Sequence, residues 1–188
     1  LLLPSSRLKT RSSGMSITKN IQSLQAELPQ GVRLVAVSNY HPDEAILEAY
    51  NAGQRVFGES KVQEMVAKYE ALPKDIEWHF IGHLQTNKIK YMASFVSLIH
   101  GVDSLKLLKE IDKQAAKVGR RIKCLLQIHI AQEETKFGFS PNECKKMLDQ
   151  GEWREQKNIQ LCGLMGMATN TDSIDQVRAE FSSLSSLF

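Results

Sequence analysis

A chain of 188 residues is long enough for one domain with a sizeable core. Its 42% hydrophobic and 24% charged side chains exclude a disordered tract, and no apolar run reaches the roughly 18 residues of a membrane-spanning helix. The net charge of +3 resides in residues 1–14, where Arg7, Lys9 and Arg11 have no acidic counterpart; the remaining 21 basic and 21 acidic side chains balance, which removes the main electrostatic argument for a nucleic-acid partner.

Residues 1–14 are basic, Ser-rich and free of acids, and read as a disordered or non-native tail preceding a natural start at Met15, with a targeting fragment as the alternative. Residues 16–28 read as an opening helix, followed by a strand over Val32–Ser38. Pro42-Asp43-Glu44 starts a helix, with proline and acids in its first turn, and Gly53 ends it. Gln54–Gly58 is the second strand, residues 60–71 a helix, Ile76–Ile81 the third strand and Gln85–Met92 a short helical segment. Phe95–His100 is the fourth strand. Asp103 is expected to cap a helix over 104–118 that stops at Gly119. Ile122–Ile130 is the fifth strand, and Ser140-Pro141-Asn142-Glu143 forms a capping box. Ile159–Met165 is the sixth strand, and residues 173–188 a last helix.

The strands read apolar on both faces, which predicts an α/β fold with a parallel sheet covered by helices. A doubly wound sheet and a (β/α)8 barrel both fit the pattern. About six βα units are present where a closed barrel needs eight, so the C-terminal end of the barrel is expected to lie beyond this chain. Cys124, Cys144 and Cys162 are odd in number and widely spaced, which predicts reduced thiols in a cytoplasmic setting.

The motifs are Val35–Pro42, Phe57-Gly58-Glu59, Trp78–Lys88, His100-Gly101-Val102-Asp103, Glu133–Phe139 and Gly163–Met167. Together and in this order they resemble the pyridoxal phosphate homeostasis protein family over about residues 16–188. The resemblance implies a TIM-type (β/α)8 barrel of the alanine racemase N-terminal type, and a non-catalytic role in intracellular vitamin B6 homeostasis. It also implies pyridoxal 5′-phosphate (PLP) held as an imine on a lysine at the end of the first strand. Carried over by position, it marks Asn39, Gly58, Ser60, His83, Gln85 and Met165 as cofactor-binding residues.

The chain departs from the family at the residue that matters most. Asn39 occupies the lysine position, and an amide nitrogen, delocalised into its carbonyl, is no nucleophile. Ser60 stands where the family usually has asparagine, and His129 where asparagine is common. The Ser-Met-Gly-Met-Ser and Arg-Ile-Gly stretches that form the family's phosphate site are not in this chain. Covalent binding of PLP is therefore expected to be lost, and binding to be weak or absent.

Other readings of these residues are plainer. His79 and His83 are four apart on a strand-like stretch with no H-E-x-x-H helix, which speaks against a metal; His79 reads as a packed residue. Gln85, Asn87 and Lys88 read as rim contacts, helix-start hydrogen bonders or solvated side chains. Met165 and Met167 are core packing or, for Met165, an approach to the cofactor ring. Lys61, Lys88 and Lys136 are the candidate replacement amines and otherwise surface charges. Two other functions compete: a PLP-dependent racemase-like enzyme, which would need the lysine, and a degenerate barrel with a scaffold role. The resemblance suggests a monomer or weak dimer with a small-molecule partner, and neither nucleic acid nor membrane.

Overall fold

Apolar runs set between helix-start and helix-stop signals alternate as parallel strands and helices. The computed structural model describes residues 2–3, 16–130, 137–167, 178–179 and 182. It divides into two compact units, Leu1–Gly82 with Phe95–Ser97, and His83–Ser94 with Leu98–Phe188.

The first unit runs β1 (Leu2–Leu3), α1 (Ile17–Glu27), β2 (Val35–Val37), α2 (Asp43–Asn51), β3 (Val56–Glu59), α3 (Val62–Ala71) and β4 (Glu77–Phe80). Ser16 caps α1 by accepting the Lys19 amide, and Gly53 leaves α2 at φ +102°, a left-handed exit that glycine adopts without strain. β2, β3 and β4 pair in parallel, with Ala36 opposite Phe57 and Phe57 opposite Trp78. Leu2–Leu3, inside the segment read as a disordered tail, pairs in parallel with Val35 and Ala36 along the other edge of β2. Gln54 is buried and ties the two strand starts together, its amide donating to the carbonyls of Leu34 and Val56 at 2.8 and 2.7 Å.

The second unit contains a turn of 3-10 helix at Thr86–Lys88, α4 (Ile89–Met92), β5 (Leu98–Val102), α5 (Leu105–Lys117) and β6 (Ile122–Ile128). It continues with α6 (Pro141–Gln150), a second 3-10 turn at Glu152–Glu155 and β7 (Ile159–Gly166). β5, β6 and β7 are parallel neighbours. Ser140 accepts the Glu143 amide at the start of α6, with Pro141 in the first turn, and Gly151 ends the helix at φ +75°.

Four expectations are corrected. The first strand is shorter than Val32–Ser38, because the Val32 amide turns back to the Pro29 carbonyl and Ser38 enters a turn with His41. The fourth strand is Leu98–Val102 rather than Phe95–His100, since Phe95 is used to stack on Tyr69 in the first unit at 4.0 Å. Asp103 does not cap α5; Ser104 does, accepting the Leu107 amide at 3.1 Å. The fifth strand stops at Ile128, because the His129 amide is taken by the Phe139 carbonyl. The last helix expected over 173–188 falls largely outside the described residues.

Each unit has its own apolar interior. Ile21, Ile46, Phe57, Met65, Trp78 and Phe80 fill the first; Ile89, Met92, Ile99, Leu108, Ile111 and Ile122 fill the second. His79 is packed into the first unit, as read from the sequence. Burial, with a smaller contribution from Arg33, pushes its pKa down from 6.5 to about 4. The unfolded chain therefore binds a proton that the folded chain rejects between these values. Stability is expected to be full above pH ~6.5 and to fall as pH drops towards ~4, and His79→Gln should flatten that slope in denaturant titrations at stepped pH. Gly82 is a second constraint. A Cβ there would lie 2.3 Å from the Ser60 carbonyl oxygen, a backbone atom that no side-chain rotation can move away. Gly82→Ala should cost about 1–3 kcal/mol in chemical denaturation.

Candidate functional site

The residues singled out by the sequence fall into two sets, one in each unit. In the first, β2 delivers Asn39 into a four-residue turn closed by the His41 amide on the Ser38 carbonyl at 3.0 Å. Tyr40, the third residue of that turn, has φ +64°. A tyrosine in this left-handed region carries about 1–2 kcal/mol of strain, so the turn requires support from outside itself.

That support comes from β3 and α3. Lys68 of α3 is buried, and its Nζ donates to the Ser38 carbonyl at 2.7 Å, Glu59 Oε1 at 2.5 Å and Glu64 Oε1 at 2.8 Å. Ser38 Oγ donates to Glu59 Oε1 at 2.8 Å, and the Tyr40 amide donates to Glu64 Oε1 at 2.5 Å. Glu59 is fully buried, and burial raises its pKa against the opposing pull of Lys68 and Ser38. At Glu64 burial also pushes upward, but hydrogen bonds from Lys68 and the Tyr40 amide, with the charges of Lys68 and Lys61, bring it below the ordinary carboxylate range.

Asn39 lies in the middle of this arrangement. Its carboxamide oxygen is buried and has no hydrogen-bond partner among the described residues. Gly58 stands beside it in β3, accepting the Ser38 amide at 2.9 Å through its carbonyl. A Cβ on Gly58 would meet the side chains of Ile81 and Val35 at 3.1–3.2 Å, so bare backbone suits this position. Ser60 follows directly, with its backbone packed against Gly82. Asn39, Gly58 and Ser60 are thus brought to the C-terminal ends of β2 and β3.

In the second unit, His83 is exposed, stacks on Phe137 at 4.4 Å and has Nδ1 3.9 Å from Asp103 Oδ2. Phe137 is held there by Phe139, whose amide donates to the Gln127 carbonyl and whose own carbonyl accepts the His129 amide. Gly138, at φ +131°, permits this close lie, because a Cβ would sit 2.8 Å from the His129 nitrogen. Gln127 is buried, donates to the Phe137 carbonyl at 3.1 Å and is the cross-strand partner of Met165, which is also buried. Gln85 and Asn87 are exposed and Lys88 is half-buried. Met167 is exposed.

Sequence reasoning missed Glu59 as an electrostatic element, and it missed Glu64, Lys68 and Gln127. Lys68 carried a signal. It falls on the stripe that includes Val62, Met65 and Leu72, and a lysine on the buried stripe of a helix demands buried partners. Among the described residues, no group of three metal-ligating side chains occurs, and no helix is long and apolar enough to cross a membrane.

Comparison with known proteins supplies the family. Residues 14–188 match the alanine racemase N-terminal domain family. The pyridoxal phosphate homeostasis protein of Aquifex aeolicus is 40% identical over 156 residues, covering 82% of this chain and 68% of that protein. Its Helicobacter pylori counterpart is 39% identical over 159 residues, covering 84% and 71%. PipY of Synechococcus elongatus, solved without PLP, superposes with a TM-score of 0.84 at 36% identity over 90% of this chain and 79% of that one; its PLP-bound structure gives 0.80 over the same shares. Alanine racemase from E. faecalis, at 15% identity and a TM-score of 0.70, shares the fold. The expected α/β fold of the alanine racemase N-terminal type is borne out, and the chain belongs to the pyridoxal phosphate homeostasis protein family.

Proposed function

We propose that this chain is a non-catalytic, intracellular PLP-binding protein of vitamin B6 homeostasis in which the covalent hold on the cofactor is lost. The observation that carries this reading is Asn39, set in a braced turn at the end of β2, at the position where the family resemblance places the lysine. The donor set at this position does not fit an imine. Asn39 offers a buried carbonyl oxygen with the capacity to accept a hydrogen bond, and an amide nitrogen that does not attack an aldehyde. We assign Asn39, Gly58 and Ser60 of the first unit to non-covalent contact with the cofactor; the family resemblance separately marks His83, Gln85 and Met165 of the second unit.

The amines weighed as replacements have other contacts. Lys68 is buried, with its ammonium group engaged by three acceptors. Lys61 lies over the Tyr40 ring at 5.0 Å, and Lys88 lies 5.8 Å from the centre of the Tyr91 ring. Lys136 lies outside the described residues. The racemase reading fails on the same ground, since it too needs the lysine. The balanced charge of the chain beyond residue 14 supports a small-molecule partner over nucleic acid, and we assign the protein to the cytoplasm as a monomer or weak dimer.

Titration with PLP followed by borohydride reduction and intact-mass analysis tests the proposal. The chain should show no imine absorbance and no mass gain, whereas Asn39→Lys in a protein that also carries the family's phosphate-binding stretches should gain one reduced PLP that maps to position 39. An adduct on the unsubstituted chain at Lys61, Lys88 or Lys136 would move the anchor. That Asn39→Lys protein, if it folds and traps nothing, would refute the site assignment.

A further inference from the structure

The residues on either side of Asn39 are both held by charge from another part of the first unit. The Ser38 carbonyl receives a hydrogen bond from Lys68, and the Tyr40 amide gives one to Glu64. The same Glu64 oxygen accepts from Lys68, and Glu59 joins Lys68 to the Ser38 hydroxyl. An ammonium group has three donors, and Lys68 spends all three here, on one carbonyl and two carboxylates.

We propose that Lys68 is a positioning residue for position 39, fixing through its charge the turn from which residue 39 presents its side chain. This deepens the reading of position 39 as the cofactor position and rests on it. Tyr40 stands at a left-handed φ that an unsupported tyrosine leaves readily, and its amide has Glu64 as acceptor. Glu64 holds that amide most strongly while ionised, as a charged acceptor. The groups facing it are Lys68 on its own helix, Lys61 from the segment before α3, the Tyr40 amide from the turn after β2, and Glu59 from β3. Glu59 acts against ionisation and the cations favour it. Removing Lys68 leaves two carboxylates close together with their shared cation gone, so a proton enters and the grip on Tyr40 becomes sensitive to pH nearer neutrality.

The test follows the Tyr40 amide by nitrogen-15 NMR in the full chain and in Lys68→Arg, Lys68→Met and Glu64→Leu. In the unsubstituted chain its shift should titrate below the ordinary glutamate range. Lys68→Met should raise that midpoint by about one pH unit or more. It should also speed hydrogen exchange at Tyr40 by about tenfold relative to Ala49 in α2 of the same unit. Lys68→Arg, which keeps charge and donors, should restore both. Glu64→Leu, which removes the acceptor, should abolish the titration and give the same local acceleration, and it decides the matter if Lys68→Met does not fold. An unmoved midpoint in Lys68→Met overturns the proposal, as does exchange at Tyr40 no faster than at Ala49 in Glu64→Leu.

The link to residue 39 is read in the Asn39→Lys protein that also carries the family's phosphate-binding stretches. There, added Lys68→Met should cut borohydride-trapped PLP by about tenfold and added Lys68→Arg should not. An equal yield in all three would overturn the positioning role. If Asn39→Lys alone traps nothing, the cofactor reading falls, while the Tyr40 measurements still decide whether Lys68 governs the turn.

Discussion

A single buried ammonium group organises the end of β2. Lys68 has 6% side-chain exposure and Glu59 none, so both charges have left water, and each is tolerable only in the presence of the other. Breaking such a pair by removing one partner costs about 3–5 kcal/mol, because the remaining charge is stranded. The pair therefore fixes α3 against β3. Through the Ser38 carbonyl and hydroxyl it also fixes the point where β2 stops and the chain turns. Tyr40 in a left-handed conformation is a consequence: the turn holds a strained residue because Glu64, itself anchored by Lys68, accepts the strained residue's amide.

This arrangement separates the support of position 39 from its chemistry. The neighbours of Asn39 are held by five hydrogen bonds among Ser38, Tyr40, Glu59, Glu64 and Lys68, while its own carboxamide oxygen is buried without a partner among the described residues. Asparagine thus stands in a position whose surroundings are built with care, yet it contributes neither an amine nor, through its oxygen, a stabilising bond. An unsatisfied buried acceptor costs about 1–3 kcal/mol. The second unit is built on a different principle. There backbone hydrogen bonds of Phe139 to the end of β6, made possible by Gly138, lay Phe137 against His83, and the result is an exposed aromatic pair beside a carboxylate.

The alternation of strands and helices was legible because its signals are short-range. Proline and acids at the start of α2, Ser140 and Pro141 at the start of α6, and Gly53, Gly119 and Gly151 at helix ends act within a single turn of chain. The motif that exposed Asn39 was equally local. Strand ends were less legible. Ser38, Phe95 and His129 are plausible strand residues by composition, and each was drawn out of its strand by a partner remote from it in sequence or by a turn. Asp103 and Ser104 are both competent caps, and only the geometry of the helix start selected Ser104.

By itself the sequence determined the α/β alternation, the family and the absence of an amine at position 39, since each depends on residue type and local order. Only the tertiary structure decided what holds position 39. Lys68 meets Ser38 across 30 residues, Glu59 across 9 and Glu64 across 4, and Ser38 meets Glu59 across 21. Of these spacings only the last for Lys68, the i,i+4 to Glu64, is a helical period; no periodicity encodes the others. They exist because burying a lysine on the apolar stripe of α3 leaves its charge no water, and folding must then supply acceptors from wherever in the chain the packing brings them.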